Sequence, residues 1–255
     1  MKKINPNKLR KKVLDIVYSK KSGHIGGSFS IAEIISFLYS NYDFDKENKL
    51  ILSKGHAVPI VYAVLHELNK ITDEDFNLFR EINSPLQGHP DKEKLSYIHA
   101  TTGSLGQGLS ISIGHSLAKS LKKEDGEIFC IIGDGELQEG QIWEALSYYP
   151  KLNLTNMVCF LDWNKHQSDN LVNETIPIYD NLETIINNMG WDCKTINGHD
   201  EKEIENCLNK NRTKPLFVIL NTIKGKGVSF MENPSWHSKI PTDEEYKKAI
   251  IELGV

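Results

Sequence analysis

The sequence predicts an α/β domain: a mostly parallel central sheet with helices on both faces. Two observations carry that prediction. From residue 127 onward, short apolar runs alternate with helical segments: EIFCII (127–132), EGQIWEALSYYPKL (139–152), NMVCFLD (156–162), WDCKTIN (191–197), EKEIENCLNK (201–210) and PLFVILNT (215–222). Strands that alternate with helices pair in parallel and are covered on both sides. No repeat, low-complexity tract or linker interrupts the 255 residues, which fits one domain spanning 1–255.

The elements follow in order. Asn5 before Pro6 reads as an N-cap with proline at the first helical position, and Leu9, Val13, Ile16 and Val17 recur at helical spacing. Ser30 to Glu33 has the capping-box pattern and opens IAEIISFLY, with Ile31, Ile34, Ile35 and Leu38 on one stripe. Ala57 to Leu68 reads as a third helix, and Thr72 caps a short fourth through DEDFNLF. The first quarter is therefore expected to be helical. GSLGQG (103–108) precedes a helix rich in small residues, Gly106, Gly108, Ser110, Ser112 and Gly114, which allow close backbone approach.

Composition excludes several classes of function. Thirty basic against 34 acidic residues give a net charge of −4, without the basic stripe of a nucleic-acid binder. No apolar run approaches the ~20 residues of a membrane span. The basic start, MKKINPNKLRKK, leads into no apolar core of a signal peptide. Cys130, Cys159, Cys193 and Cys207 form no CxxC pair, and two lie inside apolar runs as small core residues. A soluble, reduced, cytoplasmic protein is expected. Arginine, the usual phosphate clamp, occurs only at Arg10, Arg80 and Arg212.

In parallel sheets ligands bind beyond the carboxyl ends of the strands. The run at 127–132 ends in Gly133-Asp134-Gly135, and the run at 156–162 ends in Asp162-Trp163-Asn164. The 30 residues from Asp134 to Asn164 suffice for one crossover, which brings both loops to the same sheet edge. A carboxylate, an amide oxygen, a backbone carbonyl and phosphate oxygens make a hard shell suited to Mg²⁺. The glycines would let backbone N–H groups approach a phosphate, and the next helix offers its positive end. Alone, GDG is an ordinary tight turn; the second element at crossover distance favours the site.

GDGELQEGQIWEALSYYPKLNLTNMVCFLDWNK resembles the thiamine-diphosphate motif, in its transketolase version with EGxxWEA. SGHIGGSFSIAE, LSKGHAVPIVYAVL, QGHPD, TTGSLGQGLS and TIKGKGVSFMEN resemble further transketolase blocks, in transketolase order, from Lys8 to about Pro241. The resemblance implies the thiamine-diphosphate-binding fold, specifically its diphosphate (PP) domain. It implies the N-terminal subunit of a split transketolase, which moves a two-carbon ketol unit from a ketose donor to an aldose acceptor.

It also assigns residues. Asp134, Asn164 and the backbone carbonyl of His166 match the ligands of Mg²⁺, for which Ca²⁺ or Mn²⁺ can substitute. Gly103, Ser104 and Leu105 match the loop against the diphosphate and thiazolium, together with Gly133, Asp134 and Gly135. His24, His56, His89 and His237 match histidines lining the substrate channel and the cofactor's reactive face, and neutral imidazoles there can bind hydroxyls and relay protons. His115 and His199 are read as structural, and His66 and His99 receive no role. Glu139, set among the cofactor residues, and Glu144 match acids near a subunit interface, or else are acids placed in a first helical turn. KGKG (224–227) follows a strand and either meets phosphate or forms a solvated turn.

The family needs a glutamate on a second, pyrimidine-binding domain, which is expected on a partner chain in an α2β2 heterotetramer. That domain also supplies most of the family's grip on the sugar phosphate. Two stretches depart from the family. Where it commonly reads NxLQIDG, this chain reads Asn164-Lys165-His166-Gln167-Ser168-Asp169-Asn170, and WHSK (236–239) replaces WHGK. A more polar pocket and a specialised substrate are expected, such as a modified or nucleotide-linked sugar. The alternatives are the α-subunit of a 2-oxo acid dehydrogenase, which shares GDG and the distal Asn but not the Gly-His blocks, and a regulatory partner chain without activity. Resemblance to deoxyxylulose-phosphate synthase fits LQEGQIWEA less well.

Overall fold

The computed structural model describes residues 3–168, 170–175, 181–208 and 211–255. Asp169, part of the polar stretch noted above, lies outside them. The strands are β1 (Lys49–Leu52), β2 (Ile128–Gly133), β3 (Met157–Trp163), β4 (His166–Gln167), β5 (Asn170–Leu171), β6 (Asp192–Asn197) and β7 (Leu216–Asn221). The helices are α1 (Pro6–Lys20), α2 (Gly26–Phe29), α3 (Ala32–Asn41), α4 (Pro59–Glu67), α5 (Asp73–Asn77), α6 (Gln107–Lys122), α7 (Gly140–Tyr148), α8 (Val172–Thr175), α9 (Leu182–Asn188), α10 (Glu201–Cys207) and α11 (Asp243–Leu253). Five strands form one sheet in the order β1-β2-β3-β7-β6, every neighbouring pair parallel.

Successive strand residues point to opposite faces, and in β2, β3 and β7 both faces are buried, which is why those runs are apolar throughout, whereas edge strand β6 keeps polar residues at its open positions. Phe129, Ile131, Val158, Phe160, Leu216 and Val218 face a core filled from α1, α3, α4, α10 and α11. Ile128, Cys130, Ile132, Met157, Cys159, Leu161, Phe217 and Ile219 face a second core filled from α6, α7 and α9. All four thiols are buried and free.

Caps decide several helix boundaries. The Asn5 side chain accepts from the Asn7 amide, with Pro6 in the first helical turn. Thr72 and Asp75 form a full capping box before α5. The capping box expected at Ser30 and Glu33 does not form. Ile31 occupies the N-cap of α3 without a side-chain bond, and Ser30 continues from α2. The Ser30 hydroxyl donates instead to Asp162 Oδ2 at 2.7 Å, and Glu33 pairs with Arg10. A buried carboxylate outcompetes a local cap because its lone pairs have no water to turn to.

The wholly helical first quarter is also corrected, because Lys49–Leu52 is the edge strand β1. Four residues give no usable alternation, and only pairing with β2 identifies the segment. Ala57–Leu68 divides into a tight 3-10 turn at Gly55–Ala57 and α4, with Pro59 in its first turn. The segment at 139–152 is helical to Tyr148 and 3-10 from Tyr149 to Leu152, across Pro150.

Candidate active site

Gly133 at the end of β2 stands opposite Asp162 near the end of β3, and Asp162 opposite Leu220 of β7. That register gathers the following loops at one edge around a cavity of about 390 Å³. His56, Gly103, Leu105, Gly133, Asp134, Gly135, His166 and His237 all line it. Ser104 and Glu139 are exposed and outside the lining, and Glu144 is exposed on α7. The β4–β5 hairpin forms a lip, with His166, Gln167, Ser168 and Asn170 in the cavity wall.

Three imidazoles form a triangle at one end. Ring centroids lie 5.3 Å apart for His24–His56, 5.0 Å for His24–His237 and 5.2 Å for His56–His237. Burial and the neighbouring His237 and Arg80 hold His24 down to about 4. Burial, then the Lys54 ammonium, holds the His56 imidazole well below its ordinary range. Both rings are therefore neutral at pH 7, able to donate at one nitrogen and accept at the other. His24 Nδ1 is buried without a hydrogen-bond partner, an unusual state for a polar atom that a bound hydroxyl would relieve. His89 is exposed; a Cβ on Gly103 would fall 3.2 Å from its ring, so it packs directly on the cavity wall.

Asp134 is 3% exposed. Its Oδ1 accepts from the Gly135 amide at 2.9 Å and its Oδ2 from the His166 amide at 3.1 Å. Burial, then the charge of Asp162, pushes its carboxyl up to about 7. The His166 amide also donates to Asn164 Oδ1 at 3.1 Å, so one N–H gathers both side-chain oxygens. Among the described residues no group of three His, Cys, Asp or Glu side chains is placed to hold a metal ion. One carboxylate, one amide oxygen and a backbone carbonyl remain, a hard and weakly charged set that suits Mg²⁺ completed by phosphate oxygens. A cation there would also offset the buried charge of Asp134.

Behind this pair lies a network that sequence reasoning missed. Lys54 is buried, with Nζ 2.6 Å from Asp162 Oδ2 and 2.7 Å from Gly27 O. Asp162 also accepts from Ser30, from Asn164 Nδ2 at 2.8 Å and from Thr222. Burial opposes its charge, but the Lys54 ammonium and these bonds hold its carboxyl below the usual carboxylate range. In the sequence Lys54 stands only within the LSKGH block that it shares with His56.

Glu136 was also missed. It is buried and accepts from Ser53 Oγ at 2.5 Å, the Gly106 amide at 2.7 Å and the Gly133 amide at 3.1 Å. It ties the GDG loop to the start of α6. The expectation that the glycine amides stand open to a phosphate is not met at Gly133 or Gly135, since each donates to a carboxylate of its own loop. Lys224 lies buried in the cavity wall rather than in a solvated turn, with Nζ 2.5 Å from Ser168 O.

The remaining histidines are structural. His199 Nδ1 meets Glu33 at 2.9 Å while Nε2 accepts from the Ile223 amide, so Nδ1 carries the proton. His99 bonds the backbone of Leu50 and Phe44, and His66 lies between Lys12 and Asp73. His115 is half-buried on α6.

The profile of the family described as "Transketolase, thiamine diphosphate binding domain" matches residues 1–255. The chain is 36% identical over 259 residues to the 6-deoxy-6-sulfo-D-fructose transketolase subunit SqwG of a Clostridium species, covering 97% of this chain and 94% of that one. It is 34% identical over 263 residues to an apulose-4-phosphate transketolase subunit of Phocaeicola vulgatus, covering 98% and 93%. Its fold matches the crystal structure of transketolase from Campylobacter jejuni with a TM-score of 0.91 and 30% identity, over 98% of this chain but 42% of that one. The chain thus spans nearly all of the first two relatives and about two-fifths of the longer transketolase.

Proposed function

Because the chain belongs to the transketolase family, through its thiamine-diphosphate-binding domain, we propose that it is the N-terminal subunit of a two-chain transketolase. It moves a ketol unit from a ketose to an aldose. The observation that carries this reading is one cavity lined by Asp134, His56 and His237, with Asn164 joined to Asp134 through the His166 amide and His24 packed on both lining imidazoles just behind the wall.

Asp134, Asn164 and the His166 carbonyl would hold Mg²⁺, and the loops at 103–105 and 133–135 would flank the cofactor's diphosphate and ring. When bound, thiamine diphosphate supplies the nucleophilic carbon and electron sink for cleaving the bond beside a ketose carbonyl. The chain orients and protonates. The neutral imidazoles hold sugar hydroxyls and move protons at the reacting oxygens, which charged rings could not accept. Leu105, in the cavity wall, would pack on the cofactor ring and limit water there.

The pyrimidine-binding domain with its activating glutamate is supplied by a partner chain, in an α2β2 assembly. Support comes from the relatives spanned almost end to end, both of which are called subunits. Their substrates, by name, are a sulfo sugar and a sugar phosphate. A modified sugar ending in such an anion, rather than an ordinary pentose phosphate alone, is the proposed substrate, consistent with the polar lip at His166, Ser168 and Asn170. The four buried thiols suit the reducing cytoplasm. Among the described residues no helix is long and apolar enough to cross a membrane.

The test is to isolate the tagged chain with whatever binds it from its own cells. Co-purification of a pyrimidine-domain chain, with ketol transfer that needs both chains and thiamine diphosphate, is the expected result. Decarboxylation of a 2-oxo acid without ketol transfer, or activity of this chain by itself, would overturn the reading.

A further inference from the structure

The three arginines have different surroundings. Arg10 is buried against Glu33, and Arg212 is paired with Glu127. Arg80 is exposed, and among the described residues its guanidinium makes no side-chain hydrogen bond or ion pair. Its neighbour Glu81 is taken by Lys20 at 2.7 Å.

The loop around Arg80 is built to hold it. Its backbone adopts a left-handed conformation (φ 61°), and its amide donates to Leu86 O at 2.8 Å, closing the loop. Ser84 Oγ accepts from the Leu86 amide at 3.0 Å, and Gln87 Nε2 donates to Glu81 O and Ser84 O at 3.1 and 2.8 Å. Phe79, beside Arg80, is fully buried and anchors the loop. A Cβ on Gly88 would lie 2.8 Å from Arg80 Cζ and Nη2, so the guanidinium rests on the glycine next to His89. His89 in turn rests on Gly103, which lines the cavity. The positive charge of Arg80 also acts on both His24 and His89.

We propose that Arg80 is a substrate-binding residue whose guanidinium receives the anionic group, phosphate ester or sulfonate, that ends the donor or acceptor sugar. A guanidinium offers two parallel N–H bonds to a tetrahedral oxyanion, and one without a carboxylate partner can give both to substrate. The proposal rests on the ketol-transfer reading above. It places a clamp for the sugar's anion on this chain, beside the contacts expected from the partner.

The experiment uses the two-chain enzyme isolated through a tag on this chain. Neutral L-erythrulose is the donor throughout; the acceptors are D-glyceraldehyde 3-phosphate, 3-sulfolactaldehyde and D-glyceraldehyde. Arg80→Gln is expected to raise KM for the anionic acceptors roughly 10- to 100-fold with kcat little changed, and to leave D-glyceraldehyde within about twofold. A loss confined to one anionic acceptor supports the clamp and identifies the anion. Arg80→Lys keeps the charge without the fork, and its KM for the anionic acceptors should fall between the two. That variant serves if Arg80→Gln fails to fold. An equal loss with all three acceptors, or none with the anionic ones, overturns the clamp while leaving ketol transfer standing. No transfer by the unmodified enzyme to any acceptor overturns the ketol-transfer reading itself, and the clamp with it.

Discussion

Asn164 Nδ2 donates to Asp162 Oδ2 at 2.8 Å, and this bond decides which end of the amide faces Asp134. A carboxylate accepts only, so the NH₂ must turn toward Asp162 and the oxygen toward the His166 amide, 3.1 Å away. Asp162 itself is held by Lys54, Ser30 and Thr222. A candidate metal ligand is thus oriented from behind by a residue on the same strand end, as ligand shells generally are.

Asp162→Asn should therefore weaken Mg²⁺-supported thiamine-diphosphate binding by roughly 10- to 100-fold, read by calorimetric titration. It leaves Lys54 buried without a counter-charge, at a cost of about 3–5 kcal/mol in urea denaturation. Unchanged cofactor affinity in a folded variant would remove Asp162 from this role.

Asp134→Asn should abolish Mg²⁺-dependent cofactor binding and yet stabilise the metal-free chain. The Asp134 carboxyl goes from 3.8 to about 7 on folding, so the folded state binds its proton more tightly. Its contribution to stability is full below 3.8 and is lost as pH rises through about 7. The variant's gain in melting temperature, measured in chelator, should be larger at pH 8 than at pH 5. A drop at pH 8 would contradict the assignment.

The His24 imidazole gives the opposite slope. Its value falls from 6.5 to about 4 on folding, so the unfolded chain binds the proton first. The penalty is absent above 6.5 and grows as pH falls toward about 4. His24→Asn should flatten the loss of melting temperature over that window. Parallel curves for the variant and the unchanged protein would show that His24 is charged in the fold.

Glu136→Gln should cost about 1–3 kcal/mol, because an NH₂ replaces one of the acceptors of the Gly106 and Gly133 amides. Faster hydrogen exchange at one of those two amides, with exchange unaffected elsewhere in β2, is the expected signature. Unaltered exchange would mean that other contacts hold the GDG loop.

Local patterns sufficed for much of this protein. The sheet strands from residue 128 onward, the caps at Asn5 and Thr72, and the shared edge of the Asp134 and Asn164 loops all follow from spacing and parallel crossover geometry. The histidine blocks and their order pointed to the family. What remained hidden lies in contacts between residues far apart in sequence. Lys54 and Asp162 are separated by 108 positions, and Ser30 and Asp162 by 132. No period or cap rule links them, and at Ser30 the distant carboxylate reversed the local rule. Strand β1 was hidden because four residues are too few to show a period. Arg80 read as one of few arginines, and its place beside Gly88 and His89 follows from a loop that closes on Leu86. The sequence by itself determined the fold class, the family and which loops meet at the sheet edge, because these follow from short-range periodicity and motif order. Only the tertiary structure decided which buried charges pair, which way Asn164 faces and which cation is left for substrate, because desolvated groups choose partners across the whole chain.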